Sequence, residues 1–271
     1  MARFVFEDKC IHFEEYGSGR PIVVLNGIMM SCGSWLEFVE PFSAQNRLIL
    51  LDMLDQGKSD KMDAPFSQAL QVEVVKALLD HLGLDKVSLL GISYGGEVAQ
   101  RFAVKYGGHL DRLVLFNTTP RTGPWLRDIG DAWNLAASDP DAYYLTTIPV
   151  IYSPAFYREH SGWMENRRKL LKPIFSDPGF ISSMVRLTNS AADFDVTELL
   201  PGVQAPTLVV SCQEDYLTPL EEQRRIADLI PDSQYVVIPH CGHASMYEQP
   251  VLFTSLALGF INNPKLKFNI V

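Results

Sequence analysis

The stretch KVSLLGISYGGEVAQ (Lys86 to Gln100) leaves few folds open. A continuous apolar run ends at Gly91. Ser93 follows between glycines, and then a helical pattern begins, with Val98, Ala99, Phe102 and Tyr106 on one stripe. Such a junction suits a buried parallel strand that feeds straight into a covering helix. Bulky residues two positions either side of the serine would clash with neighbouring backbone in so sharp a turn, and the glycines avoid this. Either the chain needs a tight turn here, or the serine is being held up for chemistry beside a helix N-terminus.

The rest of the chain keeps the same rhythm. RFVFEDKCIHFEEYG reads as two short alternating strands forming an antiparallel edge pair. PIVVLNG (Pro21 to Gly27) and RLILLDM (Arg47 to Met53) read as buried parallel strands. A helix is expected from about Phe66 to Leu82, a strand over LDRLVLFNT, and a helix from Gly95 to Tyr106. From about Pro120 to Gly202 no strand is evident, and aromatic and helical segments are punctuated by Pro124, Pro140, Pro149, Pro154 and Pro173. Alternation then resumes with APTLVVSC, PLEEQRRIADLI, SQYVVIPH and MYEQPVLFTSLALGFINN as strand, helix, strand and helix. The expectation is an α/β fold, a mostly parallel central sheet with helices on both faces, forming a single domain over 1–271. Residues 120–202 would be a helical cap inserted between core strands.

Composition narrows the partners. The formal net charge of −9, without a basic stripe, argues against nucleic acid. No apolar run approaches the ~18 residues of a membrane span. MARFVFEDKC lacks the apolar core of a signal peptide, so a cytoplasmic location is expected by default. Cys10, Cys32, Cys212 and Cys241 are too widely spaced for a zinc pattern or a dense disulfide scaffold, and read as reduced thiols.

A serine hydroxyl is a weak nucleophile, and it needs a base that is itself oriented by an acid. Glu214 and Asp215 follow the strand PTLVVSC, and His240 and His243 follow the last strand. Loops at the carboxyl ends of parallel strands are where open α/β sheets build their sites. From the residues alone either carboxylate could be the acid and either histidine the base. Asn117, after an earlier strand, cannot balance an imidazolium. His240 and His243 lack a third ligand in register, so no metal is expected.

Five segments carry a family resemblance: VVLNG, LDMLDQGKSD, GISYGG, PTLVVSCQEDYLTP and HCGHASMYEQP. Through them the chain resembles the α/β-hydrolase superfamily, in the serine hydrolase branch with a helical cap. Gly91-Ile92-Ser93-Tyr94-Gly95 matches its G-x-S-x-G nucleophile elbow. The resemblance implies Ser93 as nucleophile, Asp215 as acid and His243 as base. It also implies the backbone N–H groups of Ile28 and Tyr94 as oxyanion hole, with no cofactor. Two positions depart from the pattern. Asn26 stands where the histidine of an H-G pair is usual, and DQGKSD (55–60) lacks the histidine that often precedes its glycine.

The implied activity is that of a carboxylesterase-like serine hydrolase, cleaving an ester, lactone or thioester through an acyl-enzyme. Acyl transfer or perhydrolysis uses the same parts, and so would a ligand receptor or signalling module with slow turnover. Trp125, Trp133, Trp163, Tyr143, Tyr144, Tyr152, Phe156 and Tyr157 either line a site for an apolar or aromatic small-molecule substrate or form the cap's own core. MENRRKLLK (Met164 to Lys172) is either an attractor for an anionic substrate or the wet face of an amphipathic helix.

Overall fold

The computed structural model describes residues 2–268. In chain order the elements are β1 (Ala2–Phe6), β2 (Lys9–Tyr16), β3 (Arg20–Leu25), α1 (Val39–Ser43), β4 (Asn46–Leu51), α2 (Ala69–His81), β5 (Val87–Ile92), α3 (Tyr94–Tyr106) and β6 (Leu110–Phe116). Helices α4 (Pro124–Ala136), α5 (Pro140–Ile151), α6 (Pro154–Glu159), α7 (Ser161–Phe175) and α8 (Pro178–Ser190) follow. The chain then completes the sheet with β7 (Thr207–Cys212), α9 (Leu220–Leu229), β8 (Ser233–Ile238), α10 (Ser245–Glu248) and α11 (Pro250–Asn262).

The eight strands lie in the order β1-β2-β4-β3-β5-β6-β7-β8. β1 and β2 are antiparallel additions at one edge, and β3 to β8 are parallel. The apolar runs are continuous because both faces of the sheet are covered. Val23, Leu25, Leu89, Leu113 and Val209 face a layer containing α2, α3 and α9. Their neighbours Ile22, Val24, Leu90, Val114 and Val210 face a second layer, where Trp35, Phe42 and Phe253 pack. The strand order reverses between β3 and β5, so the loops leaving these two strands part in opposite directions and open a crevice.

Helices α4 to α8 leave the sheet after β6 and return before β7. Three polar anchors hold them down. Arg186 of α8 donates to both oxygens of the buried Asp55 at 2.8 and 2.6 Å, and Ser183 donates to the same carboxylate at 3.1 Å. Tyr94 and Ser190 share a hydroxyl hydrogen bond of 2.8 Å. Glu248 accepts from Ser153 through both N–H and Oγ, each at 2.7 Å.

Two local details differ from the sequence expectation. The terminal helical stretch is broken at Gln249, because Pro250 starts a new helix and has no N–H to continue the old one. A 3₁₀ turn over Cys32–Phe38, running into α1, follows the β3 loop, where no helix was expected.

Candidate active site

Ser93 adopts φ 53° and ψ −120°, a conformation that costs a non-glycine residue free energy and needs external support. The support is dense. Ser93 N–H donates to the Phe116 carbonyl at 3.0 Å, and the Ser93 carbonyl accepts from Gly96 N–H and from the Thr118 hydroxyl. A Cβ on Gly91 would run into the Gly95 carbonyl, and one on Gly95 into the Leu25 carbonyl. The glycines at these two places are therefore steric requirements of close approach, as the junction between β5 and α3 demanded.

His243 lies in the loop after β8. Its Nδ1 sits 2.9 and 3.0 Å from the two oxygens of Asp215, which follows β7. The Asp215 carboxylate is buried and well satisfied. Oδ1 accepts from the N–H groups of Leu217 and Thr218 at 3.0 and 2.9 Å. Oδ2 accepts from the Thr218 hydroxyl, Asn117 and Gln223 at 2.8, 3.0 and 3.2 Å. Burial alone would push this carboxyl up. The charge and hydrogen bond of His243, with those of Thr218 and Asn117, outweigh it and hold Asp215 below the ordinary carboxylate range.

The other candidates are placed elsewhere. His240 is exposed and lies 3.7 Å from Glu214, while its N–H donates to Gln213. Neither residue lines the cavity that contains Ser93 and His243. Asn117 does take part, in a role the sequence did not reveal: it donates to Asp215 and accepts from Ser245 at 2.7 Å.

Ser93 and His243 share a cavity of about 850 Å³, with Ile28 and Tyr94 also in its lining. Among the described residues, no backbone hydrogen bond of a turn or loop uses the N–H of Ile28 or Tyr94. The wall formed by α4 to α8 is mainly aliphatic, with Leu126, Ile129, Ile148, Leu171 and Met184, and it adds Trp133 and Phe175. Most of the aromatic residues singled out in this region pack elsewhere. Tyr152 stacks on Phe156 at 5.5 Å, and Trp163 meets both rings edge-on.

Outside this cavity, the buried His12, Cys32 and Asp52 bring possible ligand atoms within 4.8 Å of one another. Burial and the neighbouring Asp52 push the Cys32 thiol up, which disfavours the thiolate a metal needs. Asp52 is also engaged by the N–H groups of Cys32 and Lys58 at 2.7 and 2.9 Å.

A family model for the alpha/beta hydrolase fold matches residues 20–250. The chain belongs to the α/β-hydrolase family. MGS-M2, an alpha/beta hydrolase enzyme from a Medee basin deep-sea metagenome library, superposes with a TM-score of 0.96 at 47% identity, covering 99% of this chain and 100% of that one. A thermophilic esterase from Thermogutta terrifontis superposes with a TM-score of 0.84 at 28% identity, covering 97% and 98%. The 2-hydroxy-6-oxo-6-phenylhexa-2,4-dienoate hydrolase of Burkholderia cepacia is 27% identical over 278 residues, 93% of this chain and 91% of that protein. Among the described residues no helix is long and apolar enough to cross a membrane.

In this α/β-hydrolase the two departures from the family pattern meet each other. Asn26 Nδ2 donates to the Leu51 carbonyl at 2.8 Å and to Gln56 Oε1 at 3.3 Å. Gln56 Nε2 in turn donates to the Gly27 carbonyl at 3.0 Å, and Trp35 Nε1 donates to Asn26 Oδ1 at 2.7 Å. Two neutral amides thus fix the loop that carries Ile28. A Cβ built on Gly27 would lie 3.7 Å from that of Ser93, so this loop runs directly beside the serine.

Proposed function

We propose that this α/β-hydrolase is a serine hydrolase acting on a small carboxylic ester or a related lactone or thioester. Ser93 Oγ attacks the carbonyl carbon and passes its proton to Nε2 of His243. Asp215 holds Nδ1–H, sets the tautomer and stabilises the imidazolium. The N–H groups of Ile28 and Tyr94 receive the developing oxyanion, a contribution of about 3–4 kcal/mol for each such donor. The protonated imidazole releases the alcohol, thiol or ring oxygen. Water then attacks the acyl-enzyme by the same relay. Helices α4 to α8 (124–190) act as the cap, and their aliphatic wall favours an apolar acyl portion.

The observation that carries this reading is His243, with its Nδ1 2.9 Å from Asp215, in the same cavity as a serine held at positive φ. Asp215 occupies Nδ1, so Nε2 is the nitrogen left to take a proton. The test is intact-mass analysis after exposure to a fluorophosphonate. Wild type is expected to gain one adduct and Ser93→Ala none, and wild type is expected to hydrolyse p-nitrophenyl alkanoates. An unmodified wild type, or an adduct that persists in Ser93→Ala, would overturn the assignment.

A further inference from the structure

The basic run Arg167, Arg168, Lys169 and Lys172 on α7 is divided by the fold. Arg168 and Lys172 pair with Asp141 at 3.3 and 2.9 Å, and Lys169 pairs with Glu165 at 3.0 Å. Those three side chains are solvated neighbours on the outer face. Arg167 is half-buried and lines the cavity that holds Ser93 and His243.

Its guanidinium carbon lies 4.5 Å from the Tyr247 ring centre, 5.3 Å from that of Trp163 and 6.0 Å from that of Tyr152. Its Nε is buried and has no hydrogen-bond partner among the described residues, and none of the ion pairs among those residues includes Arg167. The rings stabilise the cation by cation–π attraction, but they accept none of its in-plane N–H bonds. One desolvated donor, Nε, is thus left unused, which is costly unless something else occupies it.

The other charged groups around the cavity are differently placed. Asp55 is neutralised by Arg186 at 2.6 Å. Lys61 reaches the Gly57 carbonyl at 3.0 Å, and burial holds Glu97 largely protonated, with its carboxyl pushed up to about 8. Arg127, Asp131 and Asp177 are exposed where they meet the cavity. Tyr247 lies four residues after His243, so an anion held at Arg167 would sit on the histidine side of the cavity.

We propose that Arg167 binds a carboxylate carried by the substrate, making the preferred substrates acyl esters or lactones with an anionic group remote from the scissile bond. A planar fork with one positive charge matches a carboxylate monoanion, whereas a phosphate dianion would call for more cations than this end of the cavity offers. This proposal rests on the serine hydrolase reading of the same cavity.

The test compares p-nitrophenyl monoesters of the straight-chain diacids from succinate to suberate with neutral esters of the same length, each ending in a methyl ester. At one chain length the wild type is expected to prefer the anionic ester at least about tenfold in kcat/KM. Arg167→Gln should erase that preference by about 10- to 100-fold, mainly through KM. It should leave the neutral esters within about threefold, a split that a merely structural role for Arg167 would not produce. Arg167→Lys, which keeps the charge and loses the fork, should retain part of the preference.

A wild type indifferent to the terminal charge at every length, or an Arg167→Gln protein with an unchanged preference, would overturn the proposal. If no ester turns over and no fluorophosphonate adduct forms, the hydrolase reading fails on its own account. The anion site is then judged by calorimetric titration with monomethyl adipate and monomethyl suberate. Saturable binding to wild type that is lost in Arg167→Gln supports it, and absence of binding to wild type overturns it.

Discussion

Asn117 shows how much of the candidate site depends on a single neutral amide. It gives one hydrogen bond to Asp215 and takes one from Ser245, both buried. An aspartate there would set a second carboxylate beside Asp215, and two like charges that close raise one pKa strongly. Asn117→Ala should therefore lower kcat on a p-nitrophenyl ester by about 3- to 30-fold with little change in KM. It should also destabilise the fold by ~1–3 kcal/mol, the cost of leaving a buried group short of a partner. Asn117→Asp should lose more activity than Asn117→Ala, because it disturbs the charge of Asp215 as well as its position. Steady-state kinetics beside urea unfolding checks both, and an alanine variant with unchanged kcat would remove Asn117 from the positioning role. The sequence excluded Asn117 as the acid on chemical grounds. It could not show Asn117 as a partner of Asp215, because that contact joins residues 98 positions apart.

Among the elements, α8 is tied to the core by charge as well as by packing. The Asp55 side chain is fully buried and Arg186 is its cationic partner. Removing one member of a buried pair costs about 3–5 kcal/mol, because the other charge is left uncompensated. Arg186→Ala should therefore lower stability by roughly that amount and make α7 and α8 more sensitive to limited proteolysis. Adding Asp55→Asn should recover part of the loss, since the stranded charge is gone. Equal stability of the single and double variants in urea would contradict this account. The core strands were readable from sequence because burial on both faces forces unbroken apolar runs. The helices after β6 were readable only as a helical region. Pro124, Pro140 and Pro154 mark helix starts there, and so does Pro178, at the first helical position where the missing N–H is no loss. Pro149 and Pro173 lie inside helices, so proline alone could not separate a start from an interior.

For the whole molecule, the candidate site was legible wherever covalent order determines spatial order. Ser93, Asp215 and His243 each follow a parallel strand, and parallel strands bring their carboxyl ends to one edge. The pairing of Asn26 with Gln56 and the division of the basic run on α7 depend on which way side chains turn, and no periodicity encodes that. The same holds for Glu97, whose burial appears only in three dimensions and yet shapes the response of the molecule to pH. Burial is the main cause that raises its carboxyl to about 8 from an ordinary 4.5, opposed by a hydrogen bond from Gln68 and by the charge of Arg101.

The sign follows from proton counting. Between those two values the unfolded chain is ionised at this position while the folded protein keeps its proton, so the folded state binds more protons and loses stability as pH rises. The carboxyl of Asp215 acts oppositely: held below its ordinary value, it contributes stability at neutral pH that disappears as the medium turns acid. Glu97→Gln removes the first effect alone. The stability difference between variant and wild type should grow in favour of the variant from about pH 4.5 to about pH 8 and then level off. Its upper limit is ~5 kcal/mol, because each pH step of one between the folded and unfolded values is worth about 1.4 kcal/mol. Urea unfolding of both proteins across that range measures it, and a difference that stays flat with pH would mean that Glu97 is already ionised in the folded protein.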